Sequence, residues 1–200
     1  MSVPGRRNRL ISAAPGIFVA HGYSETSLQD LVDAVGCSRS SLHRDFASKD
    51  ELLAAVAEPL LEEIETLLGS FSVDLRAEED RASVIQGYMV ILGARRDVSK
   101  VLLTDDGARR TPVGQRAMDQ QRSLVARLTG PRATLRQQVR ARCALAISHL
   151  MVGELSSVPA HRLRAPLLEA AIDMLSADRG SSPSDGGTRD EQAPLPVSDL

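Results

Sequence analysis

Arg39, Ser40, Ser41, His43 and Arg44 stand within six consecutive positions, with Ser38 just before them and Lys49 five residues beyond. A guanidinium donates in pairs to a guanine edge or singly to phosphate, a hydroxyl serves either, and an imidazole is a donor of moderate reach. That set recognises a polyanion; it does not make or break bonds. To act together these side chains must leave one face of a rigid element. Leu42 and Phe46, four apart, share the inner face of a short helix from Arg39 to Phe46, which Ser38 caps and which turns the polar residues outward. A second short helix precedes it. Thr26 and Gln29 read as its capping box, Leu28, Leu31, Val32 and Val35 form its buried stripe, and Gly36 supplies the left-handed residue that ends it. Two short helices joined through a glycine turn form a helix-turn-helix, whose second helix lies in a DNA major groove. Such pairs also occur as plain packing units. A third helix start follows at Ser48-Lys49-Asp50-Glu51, a Ser-x-x-Glu box ahead of Leu52, Leu53 and Val56.

In order, the chain offers an apolar helix ending Phe18-Val19-Ala20-His21-Gly22-Tyr23, then Thr26-Ser27-Leu28, then Gly36-Cys37-Ser38-Arg39-Ser40-Ser41-Leu42, and Phe46-Ala47-Ser48-Lys49-Asp50-Glu51-Leu52. With these elements, Arg9 to Leu53 resembles the DNA-binding domain of the tetracycline-repressor (TetR) family of bacterial transcriptional regulators, over about a quarter of the chain. The resemblance implies that Thr26 and Lys49 lie near the phosphate backbone and that Ser38 to Arg44 form the recognition helix. Three positions depart from the family pattern. Pro15-Gly16 falls mid-helix, where proline removes a hydrogen bond and clashes with the carbonyl of Ile11. A kink or restart near Ala14 is expected, which would make the segment with Arg6, Arg7 and Arg9 either a basic arm or a loose terminus. His43-Arg44-Asp45 stands where the family usually shows aromatic residues and a histidine, and Asp45, a poor phosphate neighbour, reads as an intradomain partner or a discriminator that accepts from cytosine. Cys37 stands where valine is usual, in the same packing role.

Bulk charge does not advertise DNA binding: the 200 residues carry a net charge of −2. Residues 1 to 49 hold six cations against four acids, so affinity would lean on a homodimer that doubles the phosphate contacts. The N-terminus MSVPGRRNRL lacks an apolar core and no run approaches the ~20 apolar residues of a membrane span, so a cytoplasmic protein without a membrane partner is expected. Cys37, Cys143 and the scattered histidines show no metal-ligand spacing, and no nucleophile triad or phosphate loop is present. The expectation is no enzyme, no metal and no cofactor.

Beyond Leu53 the pattern is helical throughout, which predicts an all-α fold: a three-helix DNA-binding domain with a helix-turn-helix (1–53), a helical effector-binding and dimerisation domain (54–178) and a disordered tail rich in Gly, Pro, Ser and Asp (179–200). A linking helix runs from Lys49 to about Leu68 through Pro59. Others are expected near 77–94, 96–103, from Thr111-Pro112 onward, 132–155, and last to Ser176 with Pro159 and Pro166 bracketing its start. Asp105-Asp106-Gly107 reads as a turn. Cys143 to Leu155 is apolar on nearly all sides and needs two burial partners. With the last helix it suggests an intersubunit four-helix bundle through Leu145, Met151, Val152, Leu168, Ala171, Ile172 and Leu175.

The resemblance also implies a small-molecule pocket between middle helices, with Tyr88, Met89, Leu92, Met118, Gln121, Arg122 and His149 as candidates. Met and Leu at helical spacing are equally ordinary core, and a lone His an ordinary structural group. Five aromatic residues in all weigh against a flat polyaromatic effector and toward an aliphatic or acyl one. Arg132, Arg136 and Arg140 form a ridge that reads as a solvated face paired with Glu58, Glu62, Glu63 and Glu65, with an acidic ligand or a second nucleic-acid surface as alternatives. The leading function is an effector-responsive regulator, usually a repressor in this family, bound as a homodimer to a palindromic double-stranded operator. The alternatives are a DNA-binding regulator without an effector and an enzyme of unrecognised type.

Overall fold

The computed structural model describes residues 5–36, 44–72, 75 and 77–176, and among these every regular element is an α-helix. The expected tail at 179–200 lies outside the described residues.

Helix α1, Arg6–His21, buries Leu10, Ala14 and Phe18, spaced by four as one stripe. It passes through Pro15 without interruption, so the restart expected there does not occur. Gly22, at φ 84°, ends it and donates its N–H to Phe18 O at 2.9 Å. Helix α2, Leu28–Val35, starts one residue later than expected. Ser27 is the cap, its hydroxyl accepting from Asp30 N while the Asp30 carboxylate accepts from Ser27 N, and Gln29 pairs sideways with Asp33. Thr26 is 2% exposed and its hydroxyl donates backward to Gly22 O at 2.7 Å, so burial decided which of two adjacent hydroxyls became the cap. Gly36, left-handed at φ 65°, ends α2 as expected.

Helix α3, Lys49–Gly69, is the axis of the molecule. Ser48 accepts from Glu51 N, and the Glu51 carboxylate reaches Ala47 N at 2.6 Å, so the predicted cap forms with its return bond one residue early. Its buried side runs from Leu52 and Leu53 under α1 to Leu60, Leu61, Ile64 and Leu68 under the later helices, and the expected boundary at residue 53 falls inside it. Helices α4, Glu78–Ala94, and α5, Arg96–Thr104, follow, and α5 packs on both α3 and α1. The segment expected to be a turn is a one-turn helix, α6, Asp106–Arg110, because Asp105 caps it by accepting from Ala108 N. Helix α7, Pro112–Thr129, starts as expected with Thr111 as cap and Pro112 in the first turn. It lies against α6 so closely that a Cβ on Gly114 would stand 2.1 Å from Ala108 O.

Helix α8, Leu135–His149, is shorter at both ends than the expected 132–155: Thr134 and Gln137 form a capping box, and from Leu150 the chain continues in turns. Helix α9, Ala160–Ser176, carries Pro166 inside it instead of ahead of it. Helices α8 and α9 pack on each other, α9 also covers α4, and α8 also touches α4 and α7.

Candidate nucleic-acid interface and ligand cavity

Of the residues expected to read DNA, Ser38, Arg39, Ser40, Ser41 and His43 lie outside the described residues, as does Cys37. Arg44 is exposed and Phe46 is buried; Arg44 and Asp45 are helical and Phe46, expected inside the helix, stands just past them. Asp45 is claimed by the protein itself. Arg6 Nε donates to Asp45 Oδ2 at 2.6 Å and Arg6 Nη2 to Asp45 Oδ1 at 2.9 Å, and these bonds hold the carboxyl below its usual range. Arg7 stacks its guanidinium 4.8 Å from the centre of the Phe46 ring. The start of α1 is thereby strapped to the end of the recognition segment, which replaces the expectation of a basic arm or loose terminus. The intradomain reading of Asp45 is the one observed.

Lys49 points at the protein's own backbone. Its ammonium has three donors, and Nζ donates to Tyr23 O at 2.6 Å, Thr26 O at 2.9 Å and Ser24 O at 3.2 Å, while lying 4.4 Å from the centre of the Tyr23 ring. It gathers the turn that joins α1 to α2. Together with the inward Thr26 hydroxyl, this gives both residues expected at the phosphate backbone a part in shaping the turn. Sequence reading missed the further members of this cluster. Tyr23 is buried and donates its phenol to Asp50, and burial, then Asp50 and Asp105, push its pKa far upward. Its backbone N–H donates to Asp105 Oδ2 at 2.7 Å, across 82 positions of sequence. A Cβ on Gly107 would stand 2.1 Å from Ser24 Oγ, so α6 rests directly on the same turn.

The second site is a cavity of about 240 Å³ lined by α3, α4, α5, α6 and α7 together with His149 of α8. Leu60, Leu61 and Ile64 of α3 form one wall, and Leu92, Leu102, Leu103 and Ala117 line others. Of the expected pocket residues, Tyr88, Leu92, Met118, Gln121 and His149 meet here. Arg122 joins them in an adjoining chamber of about 190 Å³, with Arg142, Val125 and Leu145. Met89 does not line either: it is 1% exposed and belongs to the core, one residue round the helix from Tyr88. The wall supplied by α3, together with Arg109 and Arg142, was not anticipated.

Between the chambers Gln121 Nε2 donates to His149 Nε2 at 3.0 Å, and the Tyr88 hydroxyl lies 3.3 Å from the same nitrogen. That bond requires His149 Nε2 to be the bare nitrogen, with the ring proton on Nδ1. Burial pushes the imidazole down to about 4 and pushes the Tyr88 phenol up to about 12, so this polar group is neutral across the physiological range.

The expected dimer residues Leu145, Met151, Val152 and Ala171 are buried within the single chain, and Leu168, Ile172 and Leu175 are half-buried against its core. Three neighbouring helices of the same chain cover one side of α8, burying Ala141, Ala144, Leu145 and Ser148. Its outward stripe is instead Leu135, 55% exposed, and Val139, 50% exposed, continued by Cys143 and Ala146. Of the acids of α3, Glu58 lies 2.7 Å from Arg116 Nη1, Glu65 meets the same guanidinium, and Glu63 meets Arg95. Among the described residues no cluster of His, Cys, Asp or Glu could hold a metal ion, and no helix is long and apolar enough to cross a membrane.

The sequence profile of bacterial regulatory proteins of the tetR family matches residues 10–56. Over 52 residues the chain is 38% identical to the HTH-type transcriptional repressor ComR of Escherichia coli (strain K12), a stretch that is 26% of this chain and spans about a quarter of that relative's length (25%). The fold resembles a TetR-family transcriptional regulator from Bordetella parapertussis 12822, with TM-score 0.64 and 20% identity over 87% of this chain and 95% of that one. It also resembles a TetR-like transcriptional regulator from Rhodococcus sp. RHA1, with TM-score 0.62 and 18% identity over 90% of this chain and all (100%) of that one.

Proposed function

We propose that this chain, which belongs to the tetR family of bacterial regulatory proteins through its residues 10–56, is a cytoplasmic, non-enzymatic repressor that binds a palindromic operator as a homodimer and leaves it when a small molecule fills the cavity. Residues up to about 53 serve DNA and the helices after them serve the ligand and the partner copy. One observation carries the effector-responsive part. The helix that walls the cavity with Leu60, Leu61 and Ile64 begins at Lys49, which gathers the α1–α2 turn, and the cavity-lining α5–α6 segment holds the same turn through Asp105. A change of cavity shape therefore has two hydrogen-bonded routes to the α1–α2 turn. That relatives bearing the matched domain are transcriptional regulators, one named a repressor, supports the DNA-binding part.

The test is selection of bound fragments from genomic DNA by the purified protein, followed by titration of the recovered site. An Arg39→Ala or Arg44→Ala variant is expected to lose about 1–3 kcal/mol of binding with thermal stability unchanged. A base-edge contact would relax preference at one base pair, whereas a phosphate contact would weaken all sequences alike. Recovery of no common site, or full affinity in both variants, would sink the reading.

A further inference from the structure

Leucine and isoleucine side chains wall much of the first (inner) chamber, and the adjoining (outer) chamber carries the guanidinium groups of Arg122 and Arg142. Resting on the reading that this cavity holds an effector, we propose that the occupant is a medium-chain aliphatic monocarboxylate, its carboxylate at Arg142 and Arg122 and its chain lying past His149 against Leu60, Leu61, Ile64 and Leu102.

Size comes first. The inner chamber, about 240 Å³, falls below the ~300–1,000 Å³ that houses drug-sized ligands, and Tyr88 is the one aromatic carbocycle lining it. A flat polycyclic molecule has no second ring to stack on, whereas a flexible chain fits a leucine-lined space. Polarity comes second. Tyr88, Gln121 and His149 turn polar atoms toward one another at the neck where the chambers meet, which leaves the leucine-lined wall as the surface a hydrocarbon chain would cover.

Charge decides the orientation. The neck is neutral, because burial keeps the proton on Tyr88 and off His149, and an ion inside would be stripped of water without a partner. Arg109, which also lines the inner chamber, is paired with Asp106 at 3.4 Å. In the outer chamber Arg122 is paired with Asp119, but Arg142 is exposed and has no hydrogen-bond or ion-pair partner among the described residues. The outer chamber thus carries an excess positive charge on a planar fork that matches a carboxylate. An anion at the outer chamber and a chain in the inner one satisfy both halves at once.

The experiment is calorimetric titration of the full-length protein with sodium decanoate, decanol, decylamine and sodium 2-naphthoate, in parent, Arg142→Gln, Arg142→Lys and Ala117→Phe forms. Ala117 lines the inner chamber, so Phe there fills it. Decanoate should bind best, lose about tenfold or more in Arg142→Gln, recover part of that in Arg142→Lys, and fail in Ala117→Phe. Thermal melts confirm that each variant is folded. Decanol or decylamine binding as tightly as decanoate, naphthoate binding better, no binding by decanoate, or indifference to Arg142→Gln would overturn the assignment. Operator titration of the same samples separates the two readings: decanoate that binds in the cavity but leaves DNA affinity unchanged supports the ligand class and refutes effector control.

Discussion

The backbone N–H of Tyr23 donates to Asp105 Oδ2 at 2.7 Å, while Asp105 Oδ1 accepts from Ala108 N at 3.0 Å. One carboxylate thus caps the short helix beside the cavity and holds the turn between the two N-terminal helices. The acceptor is charged and part-buried, so each bond is of the stronger kind, ~1.5–3 kcal/mol. Coupling between sites needs an element that both sites bias. We expect Asp105→Ala to lower stability by about 1–3 kcal/mol and, more tellingly, to shrink the ratio of operator affinities measured without and with a cavity ligand. Gly107→Ala, which would drive a methyl group toward Ser24, should shift the same ratio without removing any hydrogen bond. If both variants keep the parental ratio, the Asp105 contact is a clamp without a regulatory part.

Lys49 separates two accounts of its role. A lysine that only touches phosphate could be lost without cost to folding, and the dependence of binding on salt would fall by about one unit of slope. The geometry gives Lys49 three backbone carbonyls instead. Lys49→Met should therefore lower the melting temperature as well as operator affinity, since three backbone acceptors, two of them in part-buried bonds, lose their donor. An unchanged melting temperature with a reduced salt slope would return Lys49 to the phosphate backbone.

His149 should make stability fall in mild acid. Its folded pKa is about 4, against 6.5 for the ordinary group, because burial disfavours the imidazolium. Its neighbours Tyr88 and Gln121 are uncharged, and Arg122 and Arg142 in the adjoining chamber add no anion to offset that. Above pH 6.5 both folded and unfolded chains leave it neutral, and nothing is gained or lost. As pH falls toward 4 the unfolded chain takes up a proton that the folded chain refuses, so stability declines by up to about 3 kcal/mol and levels off below. Urea midpoints of parent and His149→Gln between pH 7.5 and 4.5 check this, since carboxylates titrate equally in both. Parallel curves would refute it.

What the sequence made legible was whatever a side chain does to backbone within about four residues. Ser48 before Lys49, Thr111 before Pro112 and Gly36 after α2 all act as their positions implied. The same rule could not choose between the adjacent hydroxyls of Thr26 and Ser27, because burial of Thr26 settled it. Nor could it see Asp105 as anything but a turn residue, its second partner being 82 positions away. The pocket was half visible: Tyr88, Gln121 and His149 stood out as polar groups on apolar helices, but which of Met89 and Leu92 faces the space depends on neighbours that a single helix does not reveal. Helix α8 misled for a related reason. Its apolar circumference was counted against a partner subunit, and three helices of its own chain take up one side of it.

That recount moves the expected partner-copy contact to the outward stripe of α8. Leu135 and Val139 are one turn apart and half exposed, and Cys143 continues the line, exposed, another turn along. In a twofold interface a stripe near the axis meets its own copy, so apolar residues that are wet in one chain become dry in two. Val139→Arg should leave the fold intact and yield monomers by sedimentation, with full-operator binding lost, because an unpaired guanidinium cannot be buried there. Leu168→Arg is a different experiment: Leu168 packs on the core of its own chain, and the substitution should lower the melting temperature along with any dimer. In a Cys37→Ser background, mild oxidation should join two chains through Cys143, provided the helices bring the pair to the ~4.4–6.8 Å between Cα atoms that a disulfide requires. Val139→Arg should abolish that cross-link. A Val139→Arg protein that still sediments as a dimer would place the interface on another face of the molecule.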